Sequence, residues 1–462
     1  MLPSATTATT TTVIAASIFD LPPVLDQICE FISTEDINSC RLVCKDWASL
    51  FEVYRWRSIE FDTPSLDFGE KFYTFRGPSS LEAVRKNSAR IWTLHIEPQE
   101  LVQLLLLEND QGQGQGQVQG QYHCGDDNNG NFDRTLLLSN LQSLGIISCW
   151  PNYFSTDIDD INGIFKFVVR SSSRLQDLSF TNVYRTSQGF DFSLLSSFAS
   201  HSTLTALHIG SLRTSDQRLV LAILKNTPPC LRRLTLGCLC QGLRKADRTL
   251  NAEATVMDSD KMYEWRRFES LRGLSVDCEW GACESWVHHP ILRNAPHLKY
   301  LKTGCYVDIE HRDNDNTAFA GYRHTLEIAS TVCPEIQHLH LQHGGQDPVL
   351  TAAELVRLIQ AYPLGLKSLN FDIPESGQED VMCALLKSSA SILESVVIEY
   401  YLNIPPMSKE TVTRMIKECP RLEELDLGCK CYTDSSVECL HVELEAFVDA
   451  QGKPYDNSRW PF

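Results

Sequence analysis

Two hydrophobic periodicities divide this chain. Near the N-terminus, Leu21-Pro22-Pro23 opens a run in which Leu25, Ile28, Cys29 and Ile32 follow at i, i+3, i+4 and i+7. That spacing lines one helical face, and proline suits the first helical turn, where its missing N–H costs nothing. Ser33-Thr34-Glu35-Asp36 supplies a polar break and a fresh helix start. Ile37, Cys40, Val43, Cys44, Trp47, Leu50, Phe51 and Tyr54 continue the 3.6-residue period, which predicts two further helices. Three short helices bury little surface alone, so this unit is expected to need a partner or an adjoining domain.

Further along, the pattern becomes apolar-x-x-apolar-x-apolar. It starts at Ile91, Leu141, Leu175, Leu204, Leu231, Leu271, Leu298, Ile336, Leu366, Leu393 and Leu422, eleven runs in all, and the last slot slips once, to Thr303. The base period is 27–30 residues, with about ten extra residues before Leu271 and Ile336. Amphipathic stretches ending at a proline precede several runs: Leu219–Thr227 before Pro228, Leu355–Tyr362 before Pro363, and Val412–Cys419 before Pro420. Thr351 and Glu354 are spaced as a helix capping box. A strand followed by a helix at this period predicts an α/β leucine-rich-repeat solenoid of about eleven strand–helix units with a curved sheet. Each unit has an apolar face that only its neighbours cover, and each filled Leu or Ile slot contributes about 1.5–3 kcal/mol. Such a sheet is a binding scaffold.

Two tracts fit neither pattern. Residues 1–17 are threonine-rich and read as a disordered tail, and 111–131 alternate Gln with Gly before turning to Asp and Asn, which reads as a flexible loop. Glycine raises the entropy cost of ordering, and nothing apolar offsets it. The expected layout is a tail over 1–17, a helical unit over 18–61, a linker and first helix over 62–90, the solenoid over 91–440, and a cap or tail over 441–462.

Composition narrows the partners. Of 462 residues, 43% are hydrophobic and 22% charged, which excludes a wholly disordered chain. The net charge of −18 argues against a phosphate-tracking nucleic-acid binder and against an anionic membrane surface. No apolar run approaches a membrane span, and the N-terminus lacks the basic and apolar regions of a signal peptide. Seventeen cysteines, an odd number scattered along the chain, suit a reducing compartment, cytoplasmic and/or nuclear.

The segment from Ile18 to Phe61 resembles an F-box. The likeness rests on Leu21-Pro22, the ladder Leu25, Ile28 and Ile32, acidic Asp36, then Cys40-Arg41-Leu42-Val43-Cys44-Lys45-Asp46-Trp47 and the closing Tyr54-Arg55-Trp56-Arg57. Val24 stands where many F-boxes carry Glu. The repeats resemble the cysteine-containing leucine-rich class often attached to F-boxes, with Leu422-Glu423-Glu424-Leu425-Asp426-Leu427-Gly428-Cys429 the nearest copy. The resemblance implies a substrate-recognition subunit of an SCF (Skp–cullin–F-box) ubiquitin ligase. Its F-box would dock on a Skp-type adaptor, and through it a cullin, while the repeats capture a protein substrate. It implies no catalytic residue, metal or cofactor, since the contribution to rate is proximity. By the same resemblance Leu21, Pro22, Leu25, Ile28, Val43, Cys44 and Trp47 form the adaptor interface or its immediate support; the alternative for each is packing inside the helical unit.

On each solenoid strand the residues flanking the central apolar slot point to the concave face. This rule nominates His95, Asp177, His208, Arg233, Tyr300, Lys302, His338, His340, Asn370, Glu424 and Asp426. Its middle is basic or aromatic and its C-terminal end acidic, so the substrate is expected across Arg233, Tyr300, Lys302, His338 and His340. Other chemistry is weaker. His338, His340 and His343 lack a neighbouring carboxylate or thiol, and Cys238/Cys240 and Cys429/Cys431 are C-x-C pairs rather than zinc knuckles. Cys283 with His288 and His289 has no orienting acid. The runner-up function is a non-degradative repeat scaffold whose F-box-like helices only cap the solenoid; a ligase with its own catalytic cysteine comes third.

Overall fold

In the computed structural model, each apolar-x-x-apolar-x-apolar run turns tightly into a parallel strand. The residues described are 25, 27–29, 32, 34–60, 78–96, 101, 104, 138–147, 165, 168, 174–181, 193–210, 217–237, 265–278, 287–305, 315–343, 350–372, 377–399 and 408–426. The tail over 1–17, the Gln/Gly tract over 111–131, the 441–462 segment, Leu21, Pro22, Cys283 and both C-x-C pairs lie outside them. The chain falls into two compact units, residues 1–180 with 189–204, and 181–188 with 205–462.

The first unit holds helices α1 (Thr34–Arg41) and α2 (Lys45–Arg55), strand β1 (Ser58–Glu60), helix α3 (Pro78–Lys86), strands β2 (Thr93–Ile96), β3 (Ser143–Ile147) and β4 (Asp177–Thr181), and helix α4 (Ser193–Ala199). Leu25 and residues 27–29 are also helical. Ile59, Leu94 and Leu144 align as the central slots of β1, β2 and β3. Strand β1 is one more than the eleven runs predict. Three residues are too few to display a period, and their pairing reveals them instead. The Arg57 carbonyl accepts from both Trp92 N and Thr93 N at 2.9 Å, while the Arg57 guanidinium lies 4.0 Å from the Trp92 ring centroid. The helical unit therefore runs from α2 directly into the sheet.

The second unit carries β5 (Ala206–Ile209), β6 (Arg233–Leu236), β7 (Gly273–Cys278), β8 (Tyr300–Cys305), β9 (His338–His343), β10 (Ser368–Asp372), β11 (Ser395–Glu399) and β12 (Glu424–Asp426). Its helices are α5 (Gln217–Lys225), α6 (His289–Arg293), α7 (Asp315–Val332), α8 (Ala352–Gln360), α9 (Gln378–Ser389) and α10 (Lys409–Glu418). All pairings are parallel between consecutive strands. The central slots Leu234, Leu274, Leu301, Leu339, Leu369 and Val396 stand in one register and are buried. Thr303, the slipped slot, is buried too, its branched shape filling a position that others fill with Val or Leu.

The turns repeat as faithfully as the slots. The first apolar residue of a run closes a turn on the carbonyl three residues back, as Leu231 N does on Pro228 O at 3.2 Å and Leu271 N on Phe268 O at 3.2 Å. One carbonyl of the preceding repeat then accepts two consecutive amides: Arg232 O takes Arg272 N at 2.8 Å and Gly273 N at 2.9 Å. Asparagine ends three helices in the same way, with Asn87, Asn226 and Asn294 donating from Nδ2 to the carbonyl four residues back at 2.8–2.9 Å. Each adds a side-chain donor to a carbonyl of the last helical turn, where backbone donors run out. The expected capping box forms, with Thr351 N to Glu354 Oε2 at 2.8 Å and Glu354 N to Thr351 Oγ1 at 3.3 Å.

His288 and His289 are buried where α6 begins. His289 Nε2 lies 3.0 Å from Thr325 Oγ1 of α7, and its ring meets His324 edge-on at 4.9 Å. Burial, reinforced by His289, holds His288 down at about 3. Burial, then His324 and Arg293, hold His289 at about 4. Both rings fold neutral, whereas the unfolded chain takes up their protons near 6.5. Stability is therefore full above about pH 6.5 and falls as the pH drops towards 4. Urea midpoints at pH 7 and pH 5 should show this loss, and a His289→Gln variant should show a smaller one. An unchanged pH dependence in that variant would remove His289 from the account.

Candidate functional site

The helical unit closes on Leu25, Ile37 and Phe51, with Cys29, Ile32, Cys40, Trp47, Leu50 and Tyr54 packed around them. Trp47 and Phe51 rings stand 5.6 Å apart, and Phe51 and Tyr54 rings 6.4 Å. Asp46 in the first turn of α2 and Arg55 in its last complement the helix dipole, and Arg41 of α1 forms an ion pair with Glu52 of α2. Of the residues expected at an adaptor interface, Leu25 is thus core and Trp47 half core. Val43 and Cys44 do not continue the helical stripe. Helix α1 ends at Arg41, and Cys44 becomes the N-cap of α2, its sulfur accepting from Trp47 N at 3.5 Å.

This break leaves apolar surface outside the cluster. Leu42 is 87% exposed, Val43 63% and Ile28 41%. Leu42 and Val43 occupy the α1–α2 turn, where nothing in their own unit covers them. Leu42 and the exposed Val53 are residues that periodicity missed. The signal was present: Leu42 falls out of phase with Ile37, Cys40 and Trp47, so it could only be a turn residue or an outward one.

In the second unit the strand register brings the expected substrate residues together. Arg233, Gly273, Tyr300 and His338 stand side by side in one row, and Thr235, Ser275, Lys302 and His340 in the next. Tyr300 and His338 rings are 6.5 Å apart. Arg233 is exposed, Tyr300 is 38% exposed, and the other three are half-buried. Burial, then Lys302, hold His340 at about 4, and its Nε2 has no hydrogen-bond partner. Burial also lowers His338, with Glu394 pulling the other way and Lys367 adding to the fall. At neutral pH the cations of these two rows are Arg233 and Lys302. His95 and Asp177 stand on strands of the first unit, and Glu424 and Asp426 close the rows at β12. Gly273 went unnoticed in the sequence, although its place two residues after Leu271 would have located it.

No group of three or more His, Cys, Asp and Glu side chains could hold a metal among the described residues. His288 and His289 are committed to packing, and Cys40, Cys44, Cys333, Cys383 and Cys419 are free thiols. Burial pushes the Cys333 thiol up to about 12, far from a nucleophile's range. Among the described residues no helix is long and apolar enough to cross a membrane.

Comparison with known proteins agrees with the helical unit. The family model of the F-box domain matches residues 18–55. Curated proteins give no match. Among solved structures, the leucine-rich repeat-containing protein LegL7 from Legionella pneumophila is similar at 17% identity, over 69% of this chain and 93% of its own, with a TM-score of 0.37. The chain thus carries an F-box domain over residues 18–55, followed by consecutive parallel strands whose apolar slots share one register.

Proposed function

We propose that this chain is the substrate-recognition subunit of an SCF-type ubiquitin ligase. Its F-box docks on a Skp-type adaptor, and through it a cullin, while the repeat face of the second unit captures a protein substrate. The observation that carries this reading is the F-box domain over 18–55 with Leu42 and Val43 left bare at the α1–α2 turn. Exposed apolar side chains of that size, on a unit too small to be stable by its own core, mark a surface built for a partner. The chain performs no chemistry itself; it raises the effective concentration of substrate at the conjugating enzyme. Free buried thiols suit a reducing compartment, cytoplasmic or nuclear.

One observation favours the runner-up. Helix α2 passes through Trp56 and Arg57 straight into β1, so the F-box helices also finish the sheet. A scaffold that used them only as a cap would form no adaptor complex. Co-purification of the full chain with a Skp-type adaptor separates the two readings.

The substrate half has its own expected result. A chain carrying Arg233→Ala, Tyr300→Ala and Lys302→Ala together should lose substrate capture while holding the adaptor as well as wild type. All three lie on the outer rows, so the buried slots are untouched. Proximity labelling of ubiquitinated proteins with wild type and variant is the measurement; identical sets of labelled proteins would remove these residues from the substrate surface.

A further inference from the structure

The chemistry of the substrate segment follows from what the two rows lack. From β5 to β10 one row reads Ala206, Arg233, Gly273, Tyr300, His338, Ser368, and the next His208, Thr235, Ser275, Lys302, His340, Asn370. None of these positions is a carboxylate, in a chain with 59 acidic residues against 41 basic ones. The rows offer amide, hydroxyl and cationic donors. Acidic residues return one row further, at Asp277 and Asp372, and at the far end of the rows, at Glu424 and Asp426.

Gly273 shapes the middle. A Cβ there would lie 3.7 Å from Arg233 Cγ and 3.9 Å from Tyr300 Cδ1. The stem of Arg233 and the ring of Tyr300 therefore flank a floor of bare backbone, and a ligand can reach between them. Arg233 and Lys302 are two strands apart and two residues out of register, about 12 Å between their backbones at ordinary sheet spacings. One phosphate cannot satisfy both. An extended segment with two carboxylates four residues apart, on one face and spanning about 13 Å, can.

We infer that these rows receive an extended, unphosphorylated acidic segment of the substrate, which crosses the strands from β6 towards β9. Two of its carboxylates pair with Arg233 and Lys302, and an apolar side chain between them rests on Tyr300 over Gly273. The inference rests on the reading of this face as the substrate surface. Burial holds His340 at about 4 and lowers His338, so the recognition falls to Arg233 and Lys302 rather than to the imidazoles.

The test uses the full chain purified with a Skp-type adaptor and short fluorescein-labelled synthetic peptides, read by anisotropy. One peptide carries two Glu four residues apart with Leu midway between them in a Gly/Ser background. The others replace both Glu by Gln, by Lys or by phosphoserine. The Glu peptide should bind at least about tenfold more tightly than the Gln peptide, since two ion pairs are made rather than lost. Arg233→Glu with Lys302→Glu should reverse the preference to the Lys peptide. Gly273→Glu, whose Cβ meets only ordinary van der Waals contacts and which plants a carboxylate between the cations, should block the Glu peptide. Equal binding of Glu and Gln peptides, retention by the reversed variant, or binding of the phosphoserine peptide alone would overturn the inference. Adaptor retention is scored on the same samples, so loss of the ligase reading is seen separately from loss of the acidic ligand.

Discussion

Replacing Leu42 and Val43 together by Asp should abolish co-purification with a Skp-type adaptor and leave the circular dichroism spectrum unchanged. Both halves of that result follow from the same break in the helical pattern. Because α1 stops at Arg41 and α2 is capped by Cys44, the two residues between them face away from Leu25, Ile37 and Phe51. At 87% and 63% exposure they contribute little to the F-box's own packing. Buried at an interface, an apolar anchor is worth about 2–4 kcal/mol, and each loss weakens binding by about thirtyfold to a thousandfold. A carboxylate adds the cost of burying a charge without a partner. Phe51→Ala would be the wrong probe, because a core aromatic costs about 3–5 kcal/mol of fold stability and would lose the adaptor by unfolding. Trp47 is ambiguous for the same reason, being packed against Phe51. Adaptor binding that survives the double variant would move the docking surface away from the α1–α2 turn.

Gly365→Ala should destabilise the repeat domain by about 2–4 kcal/mol. The residue sits in the turn from α8 to β10, where its amide donates to Tyr362 O at 3.0 Å, and its φ is 72°. Alanine in that left-handed conformation costs about 1–2 kcal/mol. Its Cβ would also stand 2.8 Å from Ser388 O, 3.1 Å from Ile392 Cδ1 and 3.3 Å from Ser389 Oγ. The nearest of these is backbone of α9 and cannot swing aside. Ser389 Oγ is itself committed, accepting from Leu366 N at 2.9 Å. At about 2–4 °C for each kcal/mol in a domain of this size, the thermal midpoint should fall by about 5–15 °C. Leu364→Ala, one residue away and exposed, should scarcely move it. An unchanged midpoint for Gly365→Ala would mean that this turn can relax, and that the junction of α8, β10 and α9 is looser than its packing implies.

Much of this protein was legible along the chain because a repeat announces itself many times. The eleven apolar runs all became strands, and even Thr303 took its slot, since period and register are redundant across a solenoid. Strand β1 escaped because it is short and owes its conformation to Trp92 and Thr93 rather than to its own pattern. The F-box was legible as a motif, but its outward face was not. Periodicity carried Val43 and Cys44 along the helical stripe, whereas capping competes with periodicity and wins wherever a helix must end.

The rows on the sheet show the same division. Slot spacing alone establishes which side chains leave the core, because alternation along a strand is a local property of the backbone. Arg233, Tyr300, Lys302, His338 and His340 could therefore be named from the repeat. That Arg233 and Tyr300 flank Gly273, that burial strips His340 of its charge, and that Leu42 and Val43 lie bare all depend on neighbours distant in sequence. Contact, desolvation and exposure are properties of packed surfaces, and no period along the chain encodes them.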